Sequence, residues 1–488
     1  MIPYRKTALA AVLCASLFAA APLLADDDTS NAALLRLIQQ QAQQIKALEK
    51  RLAAVEAEKS APAAAVAAAP APQEAAEAQV RNAVADTQQS QIDTLQAQVA
   101  QMAAGGGGGG GIDWSGGTPT FRSPDGFFAF QPDLRLMFDA SSTHGSAYQD
   151  RNLTGTEGRE LRLGGNGKVG PFGYRLDVDF QGETVSVKDA WMSYNTHAFG
   201  LPVDFYLGNH LKDRAIESSS ELDNLPFMER GAVASVLESV NGYYGLGPFV
   251  KIYGSNWHLG ASITGDQLNN DGAANDSIAY NVRGHWNPLK WDGGFVHLGS
   301  WYYYQKIARD VASVNNTPTI ATDFNANLQV SSGSIADPHR DQGYGYELAG
   351  VYRSFWTYNE YGRRRIQDDS GNVYDHKATS LAAGWLITGE KPGFDQKRAN
   401  WRDTLVLSPV TGGGLGAWEL AFRYDRFDFG DVAKGSVAHS YTYGVNWYLT
   451  DWSRLMLEYI DWTTGNRVGA FPGPDSGNTI GLRAQLIF

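Results

Sequence analysis

Thr479-Ile480-Gly481-Leu482-Arg483-Ala484-Gln485-Leu486-Ile487-Phe488 reads as an extended strand with two unlike faces. Side chains alternate along a strand, so Ile480, Leu482, Ala484, Leu486 and Phe488 share one side. Gly481, Arg483, Gln485 and Ile487 share the other. The same two-sidedness recurs upstream. Leu455, Leu457 and Tyr459 oppose Arg454, Met456 and Glu458. Tyr441, Tyr443, Val445, Trp447 and Leu449 oppose Thr442, Gly444, Asn446 and Tyr448. Trp418, Leu420, Phe422 and Tyr424 oppose Glu419, Ala421, Arg423 and Asp425. Leu381, Ala383, Trp385 and Ile387 share a face, as do Ile278, Tyr280 and Val282 against Asn281, Arg283 and His285. Tyr174, Leu176, Val178 and Phe180 oppose Arg175, Asp177 and Asp179. Earliest of all, Phe128, Phe130, Leu134, Leu136 and Phe138 oppose Arg135, Met137 and Asp139. The polar faces carry charges of both signs and cannot pack as a dry apolar core, so they require water enclosed by a ring of strands.

The links between strands differ in length. Leu449-Thr450-Asp451-Trp452 is a tight turn, whereas 389–416 and 461–478 are long and rich in Gly, Pro and Asn. Short turns alternating with long outer loops are the habit of transmembrane barrels, so the expected fold class is an all-β antiparallel transmembrane barrel. The roughly 377 residues after the glycine tract described below hold about 16 strands of about ten residues, and about 18 also fit. No run of eighteen apolar residues follows residue 25, so no membrane-spanning helix is expected in the mature chain. The 54 glycines, 23 tyrosines and 13 tryptophans suit strands with one lipid-facing side and aromatic girdles. A soluble all-β sugar-binding protein can share that composition.

The N-terminus sets the compartment. Arg5 and Lys6 form a basic n-region, Ala8 to Ala21 an apolar h-region, and Leu24-Ala25 precedes Asp26-Asp27-Asp28. That is a secretory signal peptide over 1–25. Loss of its two cations moves the formal charge from −12 to −14 and removes the only cysteine, Cys14. The mature chain is then expected to hold neither disulfide nor thiol nucleophile. Asn31, Ile38, Ile45 and Leu52 recur every seven residues, with Leu34, Gln41, Leu48 and Val55 between them. This heptad seam predicts a coiled coil over 26–59 and self-association. Residues 60–104 hold an Ala/Pro-rich spacer and a second short helix through Ile92, Leu95, Val99 and Met102. The glycines of 105–111 make a flexible tether, and the barrel is expected over 112–488.

Gly158-Arg159-Glu160-Leu161-Arg162-Leu163-Gly164, Gly173-Tyr174-Arg175-Leu176-Asp177-Val178-Asp179-Phe180 and Val187-Lys188-Asp189-Ala190-Trp191 stand in sequence. These segments resemble successive strands of the phosphate-selective porin O and P family. Phe227-Met228-Glu229-Arg230 looks like that family's Phe-Met-Glu-Arg segment, and Trp385-Leu386-Ile387-Thr388-Gly389-Glu390 like its late strand. Gly416-Ala417-Trp418-Glu419-Leu420 and Tyr424-Asp425-Arg426-Phe427-Asp428 continue the match. The resemblance covers roughly 120–488, is patchy in 265–375, and is carried by order and spacing rather than by one motif. A strand closing on an aromatic, as at Phe488, is similar to the C-terminal signature of bacterial outer-membrane barrels. The resemblance implies a homotrimeric outer-membrane barrel of about 16 strands, a periplasmic coiled coil, and a constriction lined by Arg and Lys that favours anions. The partners expected are further copies of the chain, outer-membrane lipid and lipopolysaccharide, small anions and peptidoglycan, with no nucleic acid and no cofactor.

Parity alone places Arg135, Arg162, Arg175, Lys188, Arg283, Arg423, Arg454 and Arg483 on the inner faces. Cations in a narrow, partly desolvated channel attract anions, and a guanidinium holds two oxygens at once. Asp177, Asp179, Asp425 and Glu458 share those faces, so the same cations can instead form wall ion pairs with no net field. Residues 203–230, with Lys212, Arg214 and Arg230, are the candidate for a segment that folds inward; an ordinary surface loop is the plainer alternative. The stretch from Gly231 departs from the family pattern, with the acidic Glu238 and no Lys or Arg before Lys251, which weakens phosphate selectivity. Arg363-Arg364-Arg365 reads as an anion collector at the outer mouth, a lipopolysaccharide contact at the membrane rim, or a solvated strand end.

His144, His197, His210, His258, His285, His297, His339, His376 and His439 show no paired metal spacing and read as scattered. No Gly-x-Ser-x-Gly elbow in strand–helix context and no phosphate-cradling glycine loop is found, so an enzyme is not expected. Two function classes remain. One is a pore for passive diffusion of small anionic or neutral solutes. The other is a barrel that tethers the membrane to the cell wall or hydrolyses lipid.

Overall fold

Long strands with one apolar face leave open edges unless they close on themselves. The computed structural model describes residues 111–488, except 115–117, 184, 241, 267 and 269–274. The expected signal peptide, coiled coil and spacer, and the glycine tract up to Gly110, lie outside the described residues. Sixteen strands form the ring. They are β1 Phe128–His144, β2 Thr154–Val169, β3 Phe172–Asp179, β4 Ser186–Ala198, β5 Leu201–Leu211, β6 Tyr244–Tyr253, β7 Trp257–Thr264 and β8 Ile278–Trp291. The second half comprises β9 Gly294–Lys306, β10 Pro338–Tyr352, β11 Phe355–Asp368, β12 Val373–Leu386, β13 Ala417–Asp428, β14 Val437–Thr450, β15 Ser453–Asn466 and β16 Gly473–Ile487. Each pairs antiparallel with the next, and β16 pairs back onto β1 with Arg483 opposite Asp139. Leu134 and Phe488 exchange backbone hydrogen bonds of 2.6 and 3.0 Å at this seam.

The ring thus takes the smaller of the two strand counts. Two short strands, Gly111–Asp113 and Thr120–Arg122, form a hairpin on the foot of β1 and bring the whole sheet to 18 strands without entering the ring. Gly111, counted above with the tether, is therefore paired, opposite Arg122.

The expected outward faces are outward. Phe138, Leu176, Tyr280, Leu381, Leu420, Leu457 and Leu482 are all exposed. Two aromatic rows border the apolar belt. Near the short turns run Trp291, Tyr352, Phe355, Trp385, Trp418 and Trp447, with Phe355 stacked on Trp385 and Trp418 on Trp447 at 5.1 Å each. Tyr304, Tyr344, Tyr361, Tyr424 and Tyr441 run near the other end. Tyr361 and Phe355, Tyr424 and Trp418, and Tyr441 and Trp447 bracket roughly 20 Å of strand each. An apolar band between two girdles is the profile a bilayer selects. Among the described residues no helix is long and apolar enough to cross a membrane.

Turns of two or three residues join the strands at the end where β1 begins: 170–171, 199–200, 254–256, 292–293, 353–354 and 451–452. At 199–200 both Phe199 (φ 54) and Gly200 (φ 77) are left-handed, as a two-residue hairpin turn with the strands' own twist requires. Two expectations about links fail. The segment 387–416 is not an outer loop: it follows β12, an even-numbered strand, and so leaves from the short-turn end. The stretch 461–478 is mostly strand, because β15 runs to Asn466 and β16 begins at Gly473. Of its four glycines Gly477 has a packing reason, since a Cβ there would sit 2.6 Å from the inward ring of Trp462.

Candidate functional site: the narrowed interior

Residues 212–243, between β5 and β6, turn into the ring. The inward segment is therefore displaced from the expected 203–230, because 203–211 belongs to β5. Its sequence explains the turn. Ile216, Leu222, Leu225, Phe227, Val233, Val236 and Leu237 are apolar and fully buried against inward-facing rings that include Trp301, Tyr303, Trp356, Tyr358 and Phe427. Backbone N–H groups of the segment donate to wall side chains: Ile216 to Glu360 (2.6 Å), Met228 to Glu458 (2.7 Å) and Ala232 to Asp425 (2.8 Å). A five-residue helix, α1 Ala232–Val236, forms the apex. The stretch after Arg230 lacks cations because it is an apolar anchor on the wall.

The segment 387–416 enters from the opposite end and meets the first. Asn400 donates to the Ser219 carbonyl (3.1 Å), and the Trp401 N–H to Ser220 Oγ (2.8 Å). Trp401 packs edge-on against Trp356 at 4.9 Å. Arg283 ties three parts together. Its guanidinium donates to Asp213 of the first segment (2.9 Å), to both Glu347 oxygens on β10 (2.8 Å each) and to the Ala399 carbonyl of the second segment (2.7 Å).

Against the scattered reading of the histidines, three of them converge here. The rings of His258 and His285 lie 4.6 Å apart and those of His285 and His297 5.0 Å. His258 and His285 share a hydrogen bond through their Nδ1 atoms, and the outer ring nitrogens reach Asp213 (3.0 Å) and the Gln396 carbonyl (3.0 Å). Only the strand register, with His258 opposite His285, brings them together. Among the described residues no group of His, Cys, Asp and Glu could hold a metal ion.

The expected site residues other than Lys212 fall into three sets. Arg135, Arg162, Arg283, Arg423 and Arg483 are buried and ion-paired. Arg135 meets Glu221 (3.1 Å) and Asp223 (3.3 Å), and Arg162 meets Glu160 (2.5 Å) and Asp179 (3.4 Å). Arg423 meets Asp425 (2.6 Å) and Glu217 (3.2 Å), and Arg483 meets Asp139 (2.7 Å) and Glu229 (2.9 Å). Here the expectation of a face bathed in water fails, because the inward segment covers these side chains and a covered charge requires a partner. Arg175 pairs with Asp177 (2.6 Å) and Asp133 (3.2 Å), and Lys188 reaches Asp179 at 3.8 Å, but both stay partly open.

The third set has no carboxylate within 4.0 Å among the described residues: Arg214, Arg230 and Arg454. Arg214 donates to the carbonyls of Leu237 and Ala234 (3.4 Å), and Arg230 to those of Ser220 (2.6 Å) and Glu217 (3.4 Å). Arg454 donates to the carbonyls of Leu225 (2.8 Å) and Asp223 (2.9 Å). Carbonyl oxygens satisfy the N–H groups without cancelling the charge. Arg230 is the half-buried one, lying over the Tyr243 ring at 4.7 Å. Lys212 donates to Ser239 (3.1 Å) and the Gly242 carbonyl (2.6 Å). Burial, with Arg214 alongside, lowers its ammonium to about 7. Burial opposes ionisation of Glu229, but Arg159 and Arg483 override it and hold the carboxyl down to about 2.

The inner wall is thus divided. Asp133, Arg175, Lys188, His210 and Glu221 keep 14–28% of their side chains exposed. Asp139, Arg283, Asp341, Glu347 and Arg483 keep none. The partly open wall side chains thus stand on β1, β3, β4 and β5.

The family model described as phosphate-selective porin O and P matches residues 130–488. The chain is similar to Porin O of Pseudomonas aeruginosa, 23% identical over 396 residues that cover 74% of this chain and 89% of that one. It is also similar to an uncharacterized protein of Caulobacter vibrioides, 25% identical over 366 residues that cover 71% of each chain. Among solved structures it is similar to OprB of Pseudomonas putida, with a TM-score of 0.47 and 12% identity, covering 74% of this chain and 94% of that one. An anion-selective porin from Comamonas acidovorans gives a TM-score of 0.44 at 12% identity, covering 74% and 100%.

Proposed function

Because the chain belongs to the phosphate-selective porin O and P family, we propose that its ring is a water-filled outer-membrane channel through which small solutes diffuse passively, anions in preference. The observation that carries the preference is the set of three guanidiniums with no carboxylate within ion-pair distance, of which Arg230 is the half-buried one. Such a charge attracts anions without being consumed by a wall carboxylate. Size exclusion comes from the two inward segments. No bond is made or broken. Phosphate selectivity is left out of the reading, since the stretch after Arg230 anchors the segment instead of presenting a further cation.

In a planar bilayer the protein is expected to give stepwise conductance, with chloride carrying more current than potassium in a salt gradient. A unit charge met at ~5 Å in a water-like medium is worth ~0.8 kcal/mol, favourable to chloride and unfavourable to potassium, so Arg230→Gln should lower chloride permeability about fourfold. A cation-selective reversal potential of the unaltered protein would sink the anion preference, and electrical silence would sink the channel. We also infer that the chain assembles as a trimer, aided by the heptads of 26–59 on the periplasmic side. Deletion of 26–104 should leave the barrel inserted, because a glycine tether transmits little; loss of the barrel would refute that separation.

A further inference from the structure

We propose that the outer wall from β9 to β13 is a docking surface for the phosphorylated headgroups of lipopolysaccharide. This rests on the outer-membrane channel reading, which turns the end opposite the short turns toward the outer leaflet.

Cations stand on the lipid-facing side just beyond the tyrosine row. Lys306 lies two positions past Tyr304, Arg363 and Arg365 past Tyr361, Arg426 past Tyr424, Lys377 at the matching level of β12, and Arg340 four positions from Tyr344 on β10. The register sets like charges face to face: Lys306 opposite Arg340, and Arg363 opposite Lys377. Like charges directly opposed on one face of a strand pair destabilise it unless an anion lies between them. Two carboxylates serve the six cations on this face. Asp375 pairs with Arg363 and, at 3.2 Å, with Arg365, and Asp428 pairs with Arg426 at 3.2 Å. Lys306, Arg340 and Lys377 make no ion pair among the described residues; the Arg340 guanidinium lies over the Tyr304 ring at 5.7 Å. The third member of the arginine run is used elsewhere, since Arg364 turns inward to both oxygens of Asp341 (3.0 and 2.8 Å).

The rest of the circumference supplies the contrast. At the same level β1 presents Ser142 and His144, β2 Thr154 and Thr156, β15 Asp461 and Thr463, and β16 Ser476 and Asn478, none of them Lys or Arg. The basic arc crosses five strands, roughly 20 Å. It sits where the apolar belt ends and interfacial tyrosines begin, the depth at which an amphiphile carries its phosphates. A free phosphate ion fills one guanidinium fork and leaves the rest of the arc unmatched, whereas a multiply phosphorylated lipid can bridge several cations with charge-assisted hydrogen bonds.

The test titrates the full-length protein in detergent with diphosphoryl lipid A, phosphatidylcholine and inorganic phosphate in turn. Lipid A should bind at least about tenfold more tightly than phosphatidylcholine. A variant carrying Lys306→Gln, Arg340→Gln, Arg363→Gln and Lys377→Gln should lose about tenfold or more of that affinity, and Ser142→Gln with Thr156→Gln should lose none. The altered residues face away from the lumen, so conductance in a bilayer free of lipid A reports whether the variant is folded. Unchanged lipid A affinity in the fourfold variant overturns the proposal. So does full displacement of lipid A by inorganic phosphate at matched phosphate concentration. Lipid binding is read without current, so electrical silence counts against the channel reading alone.

Discussion

Arg283 on β8 and Lys188 on β4 both point into the ring from alternating strands, yet they live in opposite surroundings. Arg283 is fully covered and held by Asp213, Glu347 and the Ala399 carbonyl, while Lys188 keeps 28% of its side chain open with one carboxylate at 3.8 Å. The charges around Arg283 are locked into contacts between wall and inward segments; around Lys188, Arg175 and His210 also stay partly open, beside the covered Asp177, Asp179 and Asp189. Parity decides which face a residue occupies. What folds against that face decides whether it is wet.

The largest effect is expected at the locked side. Arg283→Met removes the guanidinium that both Glu347 oxygens accept from. It leaves Glu347 with His297 (3.0 Å) and Asp213 with Lys251 (3.3 Å) and His258, and should cost ~3 kcal/mol, read as a lowered thermal midpoint of the barrel. Both inward segments lose a tie at once, so single-channel conductance should rise as well. A variant as stable and as narrow as the parent would show that the segments are held without it.

A smaller effect is expected where the first segment leaves β5. The Lys212 ammonium is lowered to about 7 from its ordinary 10.5 by burial with Arg214 nearby. Between those values the unfolded chain holds a proton that the folded chain has released, so stability rises with pH through that window. Lys212→Met should remove this slope, about 1 kcal/mol per pH unit at its steepest, in melting curves from pH 7 to 10. Parallel curves for the two proteins would contradict the buried placement. The smallest effect belongs to the open side: Lys188→Met should change stability by ~1 kcal/mol or less while still lowering chloride preference. A loss as large as that of Arg283→Met would erase the distinction between the two sides.

The ring was legible because a period of two runs through long strands, and the residues assigned outward, such as Leu457 and Leu482, are outward. The locked side was written less plainly, though one signal was available. Met137, Met456 and Tyr448 stand at inward parity among charges, and each is buried. An apolar residue on a polar face marks where something packs, and that signal points to the coverage of the inner wall. The destination of 387–416 was hidden because it depends on counting strands, and an uncertain count flips every later link from one end to the other. The partners of Arg283 lie 64, 70 and 116 residues away, and the three histidines meet only through register, so no local spacing announces either. The cations beyond the tyrosine row were readable only as the run at 363–365, since Lys306, Arg340, Lys377 and Arg426 join it through neighbouring strands.

The seam between β1 and β16 has a consequence for how the chain is made. Arg483 grips Asp139 across 344 residues and Glu229 across 254. Contacts so distant in sequence form late, after a large loss of chain entropy. Until they form, the first and sixteenth strands each present a bare edge able to pair with any passing polypeptide. Because one guanidinium serves both the seam and the inward segment, closing the ring and seating that segment draw on the same contact, and until it forms the nascent chain is exposed to its own copies.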